Sequence, residues 1–251
     1  MSTNNPTAFN SPLVHSRSNS YPYLKGFPMA PCAEFASFFD DAQEKVTTNL
    51  PVGWEAAIID TGATLVSLGT DTFNGGAWKI ASDGASEGVT IYLPKNVQLS
   101  GKRFYMEARV YTNLVAETDI QFGLSVMNAT TNPEDAWTTA ATDLIAFGTL
   151  AGDATVTMLC DKNNGGTAAQ LGTVDLVNAT WHTLGILVEG NETAANMTVK
   201  GYVDGNLAVT WSGASTTVPG DLVMSPFIGG RTGATASNVV YVDYVRYAVA
   251  R

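Results

Sequence analysis

The sequence predicts an all-β fold: an antiparallel two-sheet jelly-roll sandwich preceded by an extended N-terminal arm. Three observations point to it. Beyond Pro51 the chain breaks into short runs rich in β-branched and aromatic residues, separated by Gly, Asn, Asp and Thr, the pattern of many strands joined by turns. The longest run, RFYMEARVYT (103–112), alternates: Phe104, Met106, Ala108 and Val110 face one way, and Tyr105, Glu107, Arg109 and Tyr111 the other. Five of the ten prolines fall in the first 31 residues, where fixed φ and missing N–H donors bar a helix interior or a central strand.

With 251 residues, 45% hydrophobic and 14% charged, the chain is long enough for one large core. Many antiparallel strands hide an apolar face most simply as two sheets packed about 10 Å apart. No fixed-period repeat is present, which argues against propellers and solenoids.

Taken in chain order, residues 1–34 form the arm, a polyproline-like coil. Its aromatic residues Phe9, Tyr21, Tyr23 and Phe27 are costly to expose, so the arm is expected to dock on a surface. Arg17 and Lys25 are its basic residues, and no acid precedes position 32. Residues 35–251 form the sandwich. The opening CAEFASFFDDAQEKV (32–46) fits a short helix, and its phenylalanines also fit an opening strand.

Strands are then predicted at 54–60, 64–68, 77–81, 89–92, 103–112, 119–127 and 144–149. Six more follow at 155–159, 181–189, 197–203, 207–211, 223–229 and 239–249. In MTVKGYVDGNLAVTW (197–211), Met197, Val199, Gly201 and Val203 alternate before the turn, and Leu207, Val209 and Trp211 alternate after it. Asp204 and Gly205 between them form a hairpin turn, because such turns need positive φ, which Gly tolerates cheaply. Asp243 inside the otherwise apolar last strand is expected to meet an Arg or backbone donors, since a buried carboxylate needs a partner.

WHTLGILVEG (181–190), together with the hairpin sequence that follows it, resembles the central hairpin of concanavalin A-like and laminin-G-like sandwiches. NVVYVDYVRYAV (238–249) is similar to the last core strand of that fold. The resemblance runs from Phe35 to Val249 and implies the fold rather than a function. More narrowly, FYMEARV (104–110) and DIQFGLS (119–125), with the opening FFDDA (38–42), resemble accessory structural proteins of tailed-bacteriophage heads. That likeness implies a decoration role on the capsid surface of a virion, after synthesis in the host cytoplasm. It transfers no functional residue.

The glucanase branch of this superfold carries its acids as Glu-x-Asp-x-x-Glu on one strand, and no such run occurs here. Glu134 and Asp135 are adjacent, so on a strand they point to opposite faces. The two histidines, His15 and His182, accompany no Gly-x-Ser-x-Gly elbow, and His182 at a strand start reads as a turn-edge residue. Cys32 and Cys160 read as free thiols, and without paired Cys or His spacing no metal site is assigned. No catalytic residue and no cofactor are expected.

A formal charge of −10 with 13 scattered Lys and Arg argues against nucleic acid as a partner. The start lacks a secretory pattern and no apolar run is long enough to cross a bilayer, so no membrane partner is expected. For a sugar, Trp78 and Trp137 lie beside loop-like stretches and are the candidate stacking residues, while Trp54, Trp181 and Trp211 are assigned to the core. The expected function is a non-enzymatic structural protein of a virus particle, a dimer or trimer. Its arm would grip the major capsid protein or another virion protein. The alternative is a lectin-like carbohydrate-binding module facing the host.

Overall fold

The computed structural model describes residues 35–40, 53–59, 64–68, 77–81, 87–94, 97–99, 101–126, 143–150, 152–162, 168–189, 197–213, 218–233 and 239–250. In chain order the strands are β1 (Phe35–Asp40), β2 (Glu55–Ile59), β3 (Thr64–Leu68), β4 (Ala77–Ala81), β5 (Gly88–Tyr92), β6 (Val97–Gln98), β7 (Arg103–Thr112) and β8 (Thr118–Ser125). They continue with β9 (Leu144–Thr149), β10 (Thr155–Asp161), β11 (Ala168–Asp175), β12 (Thr180–Glu189), β13 (Met197–Val203), β14 (Asn206–Gly213), β15 (Val223–Thr232) and β16 (Val239–Ala250).

All pair antiparallel in two sheets. The first runs β14-β13-β12-β7-β16-β4-β3, and the second β11-β10-β9-β8-β15-β5-β2. Long β16 takes β4 along residues 239–242 and β1 along residues 245–250, so two short strands share one of its edges. In the second sheet β15 does the same, with β5 over 227–231 and β6 over 223–224. The two-sheet antiparallel jelly roll is thus the fold that the alternation requires.

Between the sheets, Phe104, Met106, Ala108 and Val110 of β7 meet Ile120, Phe122 and Leu124 of β8 and Phe147 of β9 in one continuous core. Phe122 and Phe147 pack edge to face at 6.0 Å. Cys160 is a buried thiol whose pKa is pushed up by burial and then by the charge of Asp161, so it is held in its unreactive protonated form.

The opening phenylalanines form strand β1 rather than a helix, because the C-terminal half of β16 offers an open edge from Phe35 opposite Ala250 to Asp40 opposite Val245. Strands β6 and β11 were not legible. AAQLGTVD (β11) carries no aromatic residue and has Leu171 exposed, as befits an edge strand seated on β10 alone in its sheet. After the hairpin turn, a register shift between Gly201 and Tyr202 leaves Leu207 exposed and buries Ala208 and Val209.

Trp78 corrects the sequence reading. It was a candidate sugar platform, yet it is 0% exposed and stands edge-on to buried Trp54 at 5.3 Å. Alternation in β4 sends Trp78 and Ile80 inward and Lys79 outward, and proximity to a loop does not override that period. Trp78→Ala is therefore expected to cost about 3–5 kcal/mol in urea unfolding. A variant of unchanged stability would contradict the placement.

Candidate functional site

The outward face of the first sheet collects the polar and aromatic side chains of β7, β12 and β16. Registers stack them in rows across the strands. Trp181 of β12 stands opposite Tyr111 of β7, which stands opposite Tyr241 of β16, which stands opposite Lys79 of β4. In the next row are Thr183, Arg109 and Tyr244, and in the third Gly185, Glu107 and Arg246.

The third row is sealed. Glu107 is 0% exposed on a face that alternation turns away from the core. Oε2 accepts a hydrogen bond from the Tyr105 hydroxyl, and Oε1 accepts one from the Tyr244 hydroxyl at 2.5 Å. Arg246 brings Nη2 within 2.6 Å of Oε1, a buried ion pair in which attraction between the two charges adds to the hydroxyl hydrogen bonds. Burial and the neighbouring Glu107 charge push the Tyr244 pKa well up, so its hydroxyl stays a donor. Opposite Glu107 the chain has Gly185, where a Cβ would meet Tyr105 Oη at 3.0 Å; the missing side chain leaves room for that hydroxyl.

A β-bulge makes the arrangement possible. Val242 pairs with Val110 and Tyr244 with Arg109, so Asp243 is an extra residue in β16. Before the bulge, Val240 and Val242 point into the core; after it, Val245 and Tyr247 do. Asp243 and Tyr244 consequently share the outward face. Asp243 Oδ2 accepts a hydrogen bond from Arg109 Nη1 at 2.7 Å, the first of the two kinds of partner expected from the sequence, an Arg or backbone donors. The Arg109 guanidinium also lies 5.0 Å from the Trp181 ring centre, a cation–π contact.

The first row is half-buried and aromatic. Tyr111 lies 5.5 Å from Trp181 and 5.7 Å from Tyr241, centre to centre. Trp181, assigned to the core from the sequence, is the indole that faces outward. It is the neighbouring His182 that turns inward and is buried.

Asp204 and Gly205 form the expected turn, with φ of 49° and 83°. Asp204 does more than turn the chain. Its Oδ1 accepts the Thr183 N–H at 2.8 Å and its Oδ2 lies 2.8 Å from His182 Nδ1, while His182 Nε2 accepts the Val177 N–H at 3.0 Å. Both ring nitrogens of His182 are thereby committed, which rules it out as a free general base in this arrangement. Burial raises the Asp204 pKa, but the His182 and Thr183 hydrogen bonds outweigh it and hold the carboxyl below its usual range.

Among the described residues no three His, Cys, Asp or Glu side chains gather as metal ligands. Phe9, Arg17, Tyr21, Tyr23, Lys25 and Phe27 of the arm, and Trp137, lie outside the described residues.

No known family profile matches the chain, and no curated protein matches it. Solved structures do. An endo-1,3-β-glucanase from Streptomyces sioyaensis is similar, with a TM-score of 0.55 and 14% identity over 88% of this chain and 98% of its own. An endo-β-1,4-glucuronan lyase from Trichoderma reesei gives 0.59 and 13% over 84% and 94%. Arcelin-5, a lectin-like defense protein of Phaseolus vulgaris, gives 0.55 and 11% over 86% and 99%. What is shared at such identities is the fold, a concanavalin A and legume-lectin-like β-sandwich.

Removing the carboxylate in Glu107→Ala leaves buried Arg246 without its counter-charge and is expected to cost about 3–5 kcal/mol in denaturant unfolding; a loss below about 1 kcal/mol would contradict the hub. Because the folded pKa of Asp204 is depressed, its stabilisation is present above the unfolded value of about 3.9 and is lost as pH falls through the folded value. Thermal melts of Asp204→Asn should therefore fall less steeply than wild type on acidification; parallel curves would refute the pairing.

Proposed function

We propose that the chain is a carbohydrate-binding protein that holds a glycan on the outward face of its first sheet and does not cleave it. The observation that carries this reading is the in-register row Trp181–Tyr111–Tyr241, three half-buried rings on adjacent strands. Sugar rings present C–H faces that stack on aromatic surfaces, while Arg109 and Asp243 beside the row offer a donor and an acceptor for hydroxyl groups. Rigid strands set these groups in advance, so little ordering cost falls on binding.

Binding without hydrolysis is favoured by the state of the carboxylates. Glycoside cleavage needs one carboxylic acid to give a proton and a second carboxylate free to act as base or nucleophile. Glu107 is enclosed by two hydroxyl donors and the Arg246 guanidinium, and Asp243 is paired with Arg109. The fold is compatible with this reading, since solved neighbours are described as a glucanase, a glucuronan lyase and lectins.

The test is a titration of the full chain with a panel of oligosaccharides, followed by tryptophan fluorescence, with reducing ends assayed in parallel. Trp181→Ala is expected to weaken binding at least about tenfold, equivalent to one lost aromatic contact of about 1.4 kcal/mol, with an unchanged circular dichroism spectrum. Undiminished binding by that variant would overturn the site, and release of reducing ends by the wild type would overturn the non-catalytic reading.

A further inference from the structure

Two electrostatic features of the first-sheet face go beyond stacking. The chain as a whole is acidic, with 23 Asp and Glu against 13 Lys and Arg. The described side chains of this face run the other way: Lys79, Arg103, Arg109, Lys200 and Arg246 stand against Glu107, Glu189, Asp243 and, at its edge, Asp204, which is held by Thr183 and His182. Each acid is already committed. Glu107 pairs with Arg246, Asp243 with Arg109, and Glu189 bridges Arg103 at 3.5 Å and Lys200 at 2.7 Å.

That leaves Lys79. It is half-buried, faces outward between the inward Trp78 and Ile80, and makes no ion pair or hydrogen bond among the described residues. Its place is what matters: it stands opposite Tyr241 and so ends the aromatic row. Three strand spacings of about 4.8 Å set it about 14 Å from Trp181, the span of a short oligosaccharide. An ammonium with no partner among the described residues, at the end of a sugar platform on a face with surplus positive charge in an acidic protein, is complementary to an anion carried on the sugar.

We infer that the ligand of this face is an acidic glycan, a pyranose chain bearing carboxylate or sulfate groups, one of which pairs with Lys79. The inference rests on the carbohydrate-binding reading above. A neutral glycan would stack on the same rings but leave the ammonium unmatched. Discrimination therefore comes from Lys79, and stacking from Trp181, Tyr111 and Tyr241.

Calorimetric titration of the full chain tests this with three probes of equal length: an oligoglucuronate, a sulfated oligoglucoside and the neutral oligoglucoside. One or both anionic probes should bind more tightly than the neutral one, and the tighter of the two identifies the charged group. Lys79→Gln should weaken the anionic probe about threefold to fivefold and leave the neutral probe unchanged, as expected for one partly exposed ion pair. The preference should shrink as ionic strength rises from about 0.01 M to about 1 M, where the Debye length falls from about 30 Å to about 3 Å. Equal affinity for the neutral probe, or an anionic affinity indifferent to Lys79→Gln, would overturn the inference while leaving sugar binding intact. If no probe binds, or if Trp181→Ala binds as wild type does, the underlying site itself is wrong.

Discussion

The outward face of the first sheet is built on Glu107. A carboxylate fully removed from water is tolerable only with partners on both oxygens, and those partners come from two strands: Tyr105 from its own and Tyr244 and Arg246 from β16. The chain meets this requirement with one extra residue. Without the bulge at Asp243, the period of two would turn Tyr244 and Arg246 into the core and Val245 out of it. The carboxylate and the bulge together fix how β16 lies on β7, and that register sets Tyr111 beside Tyr241. The aromatic row is a consequence of the buried pair several residues away.

Much of the fold was legible because both sheets bury one face. Five strands, among them Thr64–Leu68 and Met197–Val203, begin and end where the sequence pattern does. The Asp-Gly turn was legible for a local reason, the cost of positive φ. What escaped was decided by tertiary context. β11 has no compositional signal, and β1 becomes a strand through the open edge of β16. The site was read less well. Asp243 and its arginine partner followed from the cost of a buried charge, whereas Trp78 and Trp181 exchanged roles. Both sit in short alternating runs, and only the registers reveal which indole faces the core. The role of Glu107 was not legible, because its partners Tyr244 and Arg246 lie 137 and 139 positions along the chain, beyond a parity change that no local pattern announces. The narrower likeness to phage head proteins carried no functional residue and contributes nothing to this face.

Committing each charge is what makes the face suited to binding. Salt-bridged carboxylates and a histidine with both nitrogens engaged are poor proton carriers, but they hold neighbouring rings and donors in fixed positions. Lys79 stands apart as a cation without a partner among the described residues, at the end of the row where a ligand's charge would arrive. On the proposed reading the same sandwich separates two tasks: one internal set of charges fixes geometry, and one outward group selects the ligand.

The most direct measurement uses the five indole N–H groups of the chain as reporters. In nitrogen-15 NMR spectra, assigned by single replacement of each tryptophan, addition of an acidic oligosaccharide should shift the Trp181 signal and leave those of buried Trp54 and Trp78 in place. A spectrum in which Trp181 stays still while another indole moves, or in which none moves at saturating ligand, would contradict a glycan site on this sheet.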